Sequence, residues 1–290
     1  MTMQLALGTV QFGLAYGIAG RSTPVAEPEV RTILEDAAAR GVRLLDTAAA
    51  YGDIEERLAH LARGLPLRIV SKVQAIPDDL APEQAAALAV ASARRSQARL
   101  GDALSGLMLH RAQDATGARG AAVVHALGRW ADAQGVVLGV SCYGPDEALA
   151  LQRQRRLPLT QLPGNALDQR VANASTVAAL QGVEVHLRSV FLQGLLLMPP
   201  AAALARLPAA ATALQRWHAW CASQGLGPLS AALAVVKSFA AVSTVVVGVD
   251  SLAQWRAIAD AWQASPAIAA PQLASSQADI IDPRQWKLQP

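Results

Sequence analysis

The sequence predicts a single-domain (β/α)8 barrel, an α/β fold of the TIM-barrel class. Short segments rich in Val, Leu and Ile recur along the 290 residues. Most of them lack strict polar–apolar alternation, which is typical of strands buried on both faces. Helix-like stretches separate them, and this alternation favours a parallel sheet. Eight such strands over this chain length favour closure into a barrel.

The predicted elements follow in order along the chain. The helix over 27–40 has Pro28 near its start and Gly41 just after its end, and these residue types are common at helix starts and stops. The eight predicted strands span residues 5–8, 42–46, 67–72, 104–110, 136–141, 157–161, 183–189 and 242–248. The predicted helices span residues 27–40, 82–101, 117–135, 145–156, 173–181, 212–225, 228–240 and 251–263.

An open, doubly wound sheet is the alternative fold. It is disfavoured because the glycines after the first strand do not have the G-x-G-x-x-G spacing of a dinucleotide-binding turn. No linker or low-complexity tract divides the chain, so one domain over residues 1–290 is predicted. The Ala-rich stretch 201–213 and a tail from about residue 263 are expected on the surface.

Composition excludes several classes of protein. Apolar residues make up 52% of the chain and charged residues 16%, which is enough apolar material for a large core.

The net charge is only +3, and the basic cluster at 153–156 is interpreted as a solvated helix end, so nucleic acid is not expected as a partner. Cys142 and Cys221 fit neither a metal site nor a disulfide framework, which is typical of a reducing, cytoplasmic location.

Neither a secretion signal nor a membrane span is predicted. The N-terminus lacks a basic region followed by a long apolar run. The uncharged run 189–205 is interrupted by Gln193 and by Pro199-Pro200, whereas a span needs roughly 20 mostly apolar residues.

Charged side chains end three consecutive predicted strands. Asp46 ends the second strand, Lys72 the third and His110 the fourth, and Tyr51 lies in the turn after the second. In a barrel, the C-terminal strand ends form one rim, and neighbouring strands are about 4.8 Å apart. We therefore expect these four side chains to meet, with Lys72 as the cation that pairs with Asp46.

This group of residues suits the reduction of a carbonyl group. An ammonium group beside a phenol stabilises the phenolate, so Lys72 would make Tyr51 a better proton donor near neutral pH. Asp46 would hold Lys72 charged, and His110 could donate a hydrogen bond to the same oxygen that Tyr51 protonates. Since no side chain supplies hydride, a nicotinamide cofactor is predicted.

At these residues the sequence resembles the aldo-keto reductase superfamily. GVRLLDTAAAYGDIEERLA resembles its signature, LALGTVQFG its first strand and turn, and IVSK and LMLHR its next two strand ends. LGVSCYG, LTQLPGN and VVVGVDSLAQW resemble later landmarks, so the resemblance covers about residues 4–262. It implies a (β/α)8 barrel with an extended NADPH across the strand ends, NADH being the alternative cofactor.

The resemblance also implies residue roles. Asp46, Tyr51, Lys72 and His110 would form a catalytic tetrad with Tyr51 as general acid, and Asp46 would also border the cofactor. Thr9 and Val10 would line the nicotinamide site, and Ser141 and Gln161 would bind its carboxamide. The other implied cofactor contacts are Arg188, the pyrophosphate segment Ser189-Val190-Phe191-Leu192-Gln193-Gly194, and, near the adenosine phosphate, Gly248, Ser251 and Gln254.

Three features depart from the family pattern. Cys142 follows Ser141 where the family usually has Asn, and Arg188 stands where an aromatic ring commonly stacks on the nicotinamide. Near the expected 2′-phosphate the chain has Asp250, which would repel it, and Arg256 is off register. Ile258 replaces an adenine-binding asparagine, so the preference for NADP over NAD is weaker than the resemblance alone implies.

Three functions are considered. The first is an NAD(P)H-dependent reductase acting on a small-molecule aldehyde, ketone or sugar. The second is a cofactor-binding regulatory protein of the same fold with little turnover, which could have a protein partner; HLRSVFLQGLLLMPP resembles a bacterial branch that includes both polysaccharide-linked enzymes and a cell-division regulator. The third is a Schiff-base aldolase using Lys72, which gives Tyr51 no particular role.

Overall fold

The barrel closes as the sequence predicts. A computed structural model describes residues 3–18 and 23–287. Its parallel strands follow one another in chain order around a closed barrel, with β1 paired to β8 from Gln4↔Thr244 to Gly8↔Gly248. The strands are β1 Gln4–Gly8, β2 Leu44–Asp46, β3 Arg68–Val73, β4 Leu104–Leu109, β5 Val137–Ser141, β6 Leu159–Pro163, β7 Glu184–Arg188 and β8 Thr244–Gly248.

Helices surround the strands, and all eight predicted helices are found with ends shifted by a few residues at most. Four further short helices were not predicted, because stretches of four to eight residues carry too few turns to show a helical period. The helices are α1 Val10–Gly13, α2 Glu27–Ala39, α3 Ile54–Leu61, α4 Pro82–Leu100, α5 Gly117–Gln134, α6 Pro145–Arg155, α7 Ala174–Ala179, α8 Pro200–Arg206, α9 Ala211–Ser223, α10 Pro228–Val236, α11 Leu252–Ala264 and α12 Ala278–Ile281.

Two hydrophobic layers hold the barrel. The larger one lies between the strands and the helices. The smaller one fills the inside of the barrel with one side chain from each of six strands. The space beneath the strand ends is therefore packed with side chains and is not an open channel. Its members are Ala6, Leu44, Val70, Met108, Leu159 and Val246.

The tail beyond α11 differs from the surface segment that the sequence suggested. It buries Ala270, Leu273, Ile280 and Ile281 against the body of the protein. The Ser275 amide donates to the Leu167 carbonyl at 2.8 Å, which ties the tail to the segment after β6. The short α12 then brings residues 282–284 to the rim of the barrel.

The Ala-rich stretch 201–213 is also partly interior. It contains the end of α8 and the start of α9, and Ala203, Ala210 and Ala213 are buried. Alanine is compatible with both burial and exposure, so its composition alone did not reveal this packing.

Within the described ranges, no single helix combines the length and apolar composition of a membrane span. The segments Pro208–Ser223 and Pro228–Val236 meet that test only as a pair, which is bent by 96°.

Candidate active site

A cavity of about 660 Å³ opens at the C-terminal ends of the strands. Every strand contributes to its wall a residue within two positions of its C-terminal end, which is the usual place of active sites in this architecture. These residues, in strand order, are Gly8, Asp46, Lys72, His110, Ser141, Gln161, Arg188 and Gly248.

Asp46 and Lys72 form a buried ion pair at the floor of this cavity. The Lys72 Nζ lies 2.6 Å from the Asp46 Oδ1 and donates a second hydrogen bond to the Thr47 carbonyl at 2.9 Å. The two residues are 1% and 6% exposed. Burial is the largest influence on the pKa of Lys72 and acts to lower it, but Asp46, followed by Tyr51, outweighs burial and raises that pKa. Lys72 is therefore a fixed ammonium group.

Strand register brings this pair together. Asp46 is the last residue of β2 and lies opposite Val70 of β3. Lys72 is two residues beyond Val70, and because side chains alternate with a period of two, both point to the same face. Two parallel neighbours thus deliver an acid and an amine to one point, as the sequence predicts.

Gln161 completes the pairing of Asp46. Its Nε2 donates to the Asp46 Oδ2 at 2.7 Å, so both carboxylate oxygens are engaged. The Ser141 hydroxyl lies 3.4 Å from the Gln161 Oε1, and the Thr9 hydroxyl donates to the Asp46 carbonyl at 3.1 Å. Gln161 was predicted to bind a carboxamide; its hydrogen bond to Asp46, from a residue 115 positions away, was not predicted.

Tyr51 lies over this pair. The Lys72 Nζ is 5.6 Å from the centroid of the Tyr51 ring. The turn that carries the ring is anchored to β3, since the Ala49 amide donates to the Lys72 carbonyl at 3.1 Å and the Tyr51 amide to the Ala48 carbonyl at 3.0 Å. At Gly13, at the end of α1, a Cβ would collide with the Tyr51 carbonyl, so glycine is needed there for this close approach.

His110 meets the Tyr51 ring edge-on. The ring centroids are 5.9 Å apart and the planes are inclined at 82°. Burial lowers the pKa of His110 to about 4, and the charge of Lys72 acts in the same direction. The imidazole is therefore neutral near pH 7 and has one N–H with which to donate a hydrogen bond.

Arg188 is held at the rim by three contacts. It donates to the Cys142 carbonyl at 3.1 Å and to the Ser189 hydroxyl at 3.2 Å. Its guanidinium carbon lies 4.9 Å from the centroid of the Tyr143 ring, and that of Arg284 lies 3.4 Å from the same centroid. Neither Tyr143 nor Arg284 was predicted as a site residue, because nothing in their local sequence distinguishes them from surface residues.

The loop after β7 has an unusual backbone. Ser189, Leu192 and Gln193 have φ values of 63°, 48° and 55°, and Gly194 follows with 93°. A left-handed conformation costs a non-glycine residue roughly 1–2 kcal/mol, and such strain is concentrated at ligand-binding segments. Five of the six residues of the predicted pyrophosphate segment line the cavity: Ser189, Val190, Phe191, Gln193 and Gly194.

At the end of β8, Gly248 leaves room for the side chain of Gln11, with whose amide a Cβ would collide. The Gln11 Oε1 is buried without a hydrogen-bond partner among the described residues. Both residues line the cavity, as do Thr9 and Val10 of the predicted set. An orphaned amide oxygen at this position indicates a ligand that carries a donor.

Ser251, predicted to lie near the adenosine phosphate, is not among the residues that line the cavity, and its contact with a cofactor stays a prediction. Its hydroxyl instead caps α11, accepting from the Gln254 amide at 3.2 Å. Gln254 does line the cavity, and its Oε1 accepts from the Asp250 amide at 2.8 Å. Arg256 pairs with Asp36 at 2.9 Å, away from the cavity wall.

A search of the described residues for groups of His, Cys, Asp and Glu able to hold a metal ion finds none.

Comparisons with known proteins complete this description. The model of the Aldo/keto reductase family matches residues 4–269. The holo form of the aldo-keto reductase AKR11C1 from Bacillus halodurans superposes with a TM-score of 0.73 at 18% identity, covering 98% of this chain and 95% of that one. PA4992 from Pseudomonas aeruginosa, assigned as an aldo-keto reductase, gives 0.63 at 22% identity, covering 89% and 88%. A search of curated proteins gave no match.

The solved structures, all below 25% identity, are evidence for the shared fold. The family match extends over nearly the whole barrel and carries the classification. Members of this family are oxidoreductases that use nicotinamide cofactors on small carbonyl compounds. This chain belongs to the aldo/keto reductase family.

Proposed function

We propose that this protein is an NAD(P)H-dependent carbonyl reductase that converts an aldehyde, a ketone or a sugar to an alcohol, with Tyr51 as the proton donor. The observation that carries the proposal is the buried Asp46–Lys72 pair, 2.6 Å apart, beneath the Tyr51 ring. NADPH is the first candidate cofactor and NADH the second.

The described residues fit a nicotinamide cofactor. The cavity of about 660 Å³ reaches from Tyr51 to Gln254 and Ile258 of α11, which suits an extended dinucleotide. The unpartnered Oε1 of Gln11 and the left-handed loop from Ser189 to Gly194 border this space. Ser141 and Gln161 would hold the carboxamide, and the loop would hold the pyrophosphate. When bound, the reduced nicotinamide supplies hydride to the carbonyl carbon.

The side chains supply the proton. As the carbonyl carbon is reduced, the electrons of its π bond move to oxygen, which takes the proton of the Tyr51 hydroxyl. Lys72 stabilises the phenolate that remains, and Asp46 keeps the ammonium charged and in position. Neutral His110 donates a hydrogen bond to the same oxygen and thereby orients the carbonyl. The Tyr51 phenolate then regains a proton from solvent before the next turnover.

The test is the oxidation of NADPH and of NADH by the purified protein with a panel of aldehydes. Replacing Tyr51 with Phe (Tyr51→Phe) removes the proton donor and should lower turnover roughly 100-fold or more, given the usual contribution of a general acid. Cofactor affinity, measured by fluorescence titration, serves as the control for folding of the site. Near-normal turnover by the variant would show that Tyr51 is not the acid.

A regulatory protein with little turnover is the second candidate. It is favoured by the replacement of two usual cofactor contacts, Cys142 for an asparagine and Arg188 for an aromatic ring. Tight cofactor binding without turnover of any substrate in the panel would support it over the reductase.

A further inference from the structure

We propose that the substrate carries an anionic group, a carboxylate or a phosphate, which binds between Arg188 and Arg284 in a smaller cavity beside the candidate active site. This inference rests on the proposed function, since it names the class of carbonyl compound that would be reduced. No residue of the predicted cofactor set except Arg188, Ser189 and Gln193 belongs to this smaller cavity.

The smaller cavity adjoins the larger one. It has a volume of about 170 Å³, which is enough for a carboxylate or a phosphate group. Tyr16, Tyr143 and Arg188 line both cavities. A molecule with its carbonyl near Tyr51 could therefore extend its other end into the smaller space.

The charges around the smaller cavity are unevenly balanced. Arg170 is matched by buried Asp168, with Nε 2.8 Å from Oδ1. Arg284 is matched by Asp282, with Nη2 2.5 Å from Oδ2. No carboxylate of the described residues lies within the 4 Å of an ion pair to Arg188, whose contacts are a carbonyl, a hydroxyl and a ring. Glu147 and Asp146 also act on Arg284 and Arg170, so both of these arginines are compensated. The positive charge of Arg188, at the junction of the two cavities, is the one left without an ion-pair partner among the described residues.

This leftover charge is already oriented. Arg188 uses two donors to hold itself in place, and a guanidinium has five N–H groups, so others remain for a ligand. Tyr143 contacts both Arg188 and Arg284, which places two planar guanidinium groups around one ring. Arg284 uses Nε and Nη2 for Asp282, so its Nη1 is the group that can still donate to a ligand beside Arg188. Guanidinium N–H groups match the geometry of carboxylate and phosphate oxygens. The arrangement loses little conformational entropy when an anion binds.

The position of Arg188 also has an electrostatic cost. It is half-buried and acts, after burial and Lys72, to lower the pKa of His110, so it lies within electrostatic reach of another cation. A half-buried charge without a counter-charge is unfavourable. An anionic ligand offsets that cost and so gains affinity that a neutral one lacks.

The experiment compares two aldehydes that differ chiefly in charge; the ester also carries one more methyl group and has the more electrophilic carbonyl. 4-Formylbenzoate and its methyl ester share the carbonyl and the ring, and only the first has a carboxylate. We expect wild-type protein to favour 4-formylbenzoate about tenfold or more in kcat/KM, the size of one charged hydrogen bond. Arg284→Met should lower this ratio severalfold, mainly through KM for the charged aldehyde.

Two controls accompany that comparison. Arg95→Met, on the exposed side of α4, makes the same change in net charge away from both cavities and should leave the ratio unaltered. A second pair, glyceraldehyde 3-phosphate and glyceraldehyde, tests whether the bound anion is a phosphate. If it is, the kcat/KM ratio within this pair should exceed the ratio of 4-formylbenzoate to its methyl ester.

Calorimetric binding to protein saturated with the oxidised cofactor makes the proposal testable without turnover. If 4-formylbenzoate binds more tightly than its ester and Arg284→Met loses this difference, the result supports the anion subsite. If at the same time no aldehyde is reduced, only the proposed reductase activity is contradicted. Equal binding and equal kcat/KM for both aldehydes would overturn the subsite. It would also be overturned if Arg188→Met weakened cofactor binding but left the ratio unchanged, since the anion would then be the cofactor's phosphate.

Discussion

The rim of the barrel contains two sectors built in different ways. The acid–base sector, at the ends of β2, β3 and β4, consists of Asp46, Tyr51, Lys72 and His110. The loop sector, after β7 and β8, consists of residues 188–194 and 248–254. The first is built from ionisable side chains fixed by buried contacts, and the second from left-handed backbone and a cation with no acidic partner among the described residues.

Under the proposed function, the two sectors have different tasks. Proton transfer requires a fixed distance and a fixed charge, which adjacent strands and a buried ion pair provide. Binding a long ligand requires backbone donors and space along its length, which a loop provides at the cost of local strain. A disturbance of the acid–base sector should therefore affect stability and turnover together, whereas the loop sector should tolerate change.

The largest effect should come from breaking the ion pair. Lys72→Met leaves Asp46 buried with Gln161 as its only side-chain partner among the described residues, which should lower the free energy of unfolding by about 3–5 kcal/mol. Denaturant titration measures this loss. In the double variant Lys72→Met/Asp46→Asn the stranded charge is gone, so much of the stability should return while turnover stays low. Equal stability of the two variants would contradict the pairing.

A smaller effect should follow from His110 as the pH falls. The folded-state pKa of His110 is about 4 and the ordinary value is 6.5, so the unfolded chain binds the proton first. Stability should decline between pH 6.5 and 4, by about 3 kcal/mol from this residue. His110→Gln should remove that share of the slope in pH-dependent unfolding. If both proteins lose stability in parallel, His110 is not buried in its neutral form.

The smallest effect belongs to the loop sector. Gln193→Gly relieves a left-handed φ of 55° and should raise stability by up to about 1 kcal/mol, because glycine adopts this conformation without a steric penalty. Cofactor affinity should fall a few-fold as the loop becomes more flexible. Gln215→Gly, at an exposed position inside the regular helix α9, is the matched control and should lose about 1 kcal/mol. Equal losses in both variants would show that the loop is not strained.

Much of the acid–base sector could be predicted from sequence. Asp46, Lys72 and His110 each lie within one residue of the end of an apolar strand, and a closed parallel barrel brings all strand ends to one rim. Local periodicity was sufficient because of this shared rim, although the register between β3 and β4 shifts between Ile69 and Val70. The proximity of Tyr51 followed from the short turn of small residues after β2.

Other contacts join distant parts of the chain. The hydrogen bond from Gln161 to Asp46, the fit of Gly13 under Tyr51 and the stacking of Arg284 on Tyr143 have no local signal. Ser251 shows a related ambiguity, because a helix cap and a ligand contact share one sequence signature, a hydroxyl before a helix.

The sequence by itself determined the barrel and the four groups of the acid–base sector, because strand periodicity and chain order dictate which residues reach the rim. Only the tertiary structure decided how those groups are held and what surrounds them. The tail from Ala270 to Arg284 packs across the rim through a few buried apolar side chains and one stacked guanidinium. Such packing depends on complementary shape and charge between side chains more than a hundred residues apart in the sequence. No local spacing pattern predicts contacts of this kind.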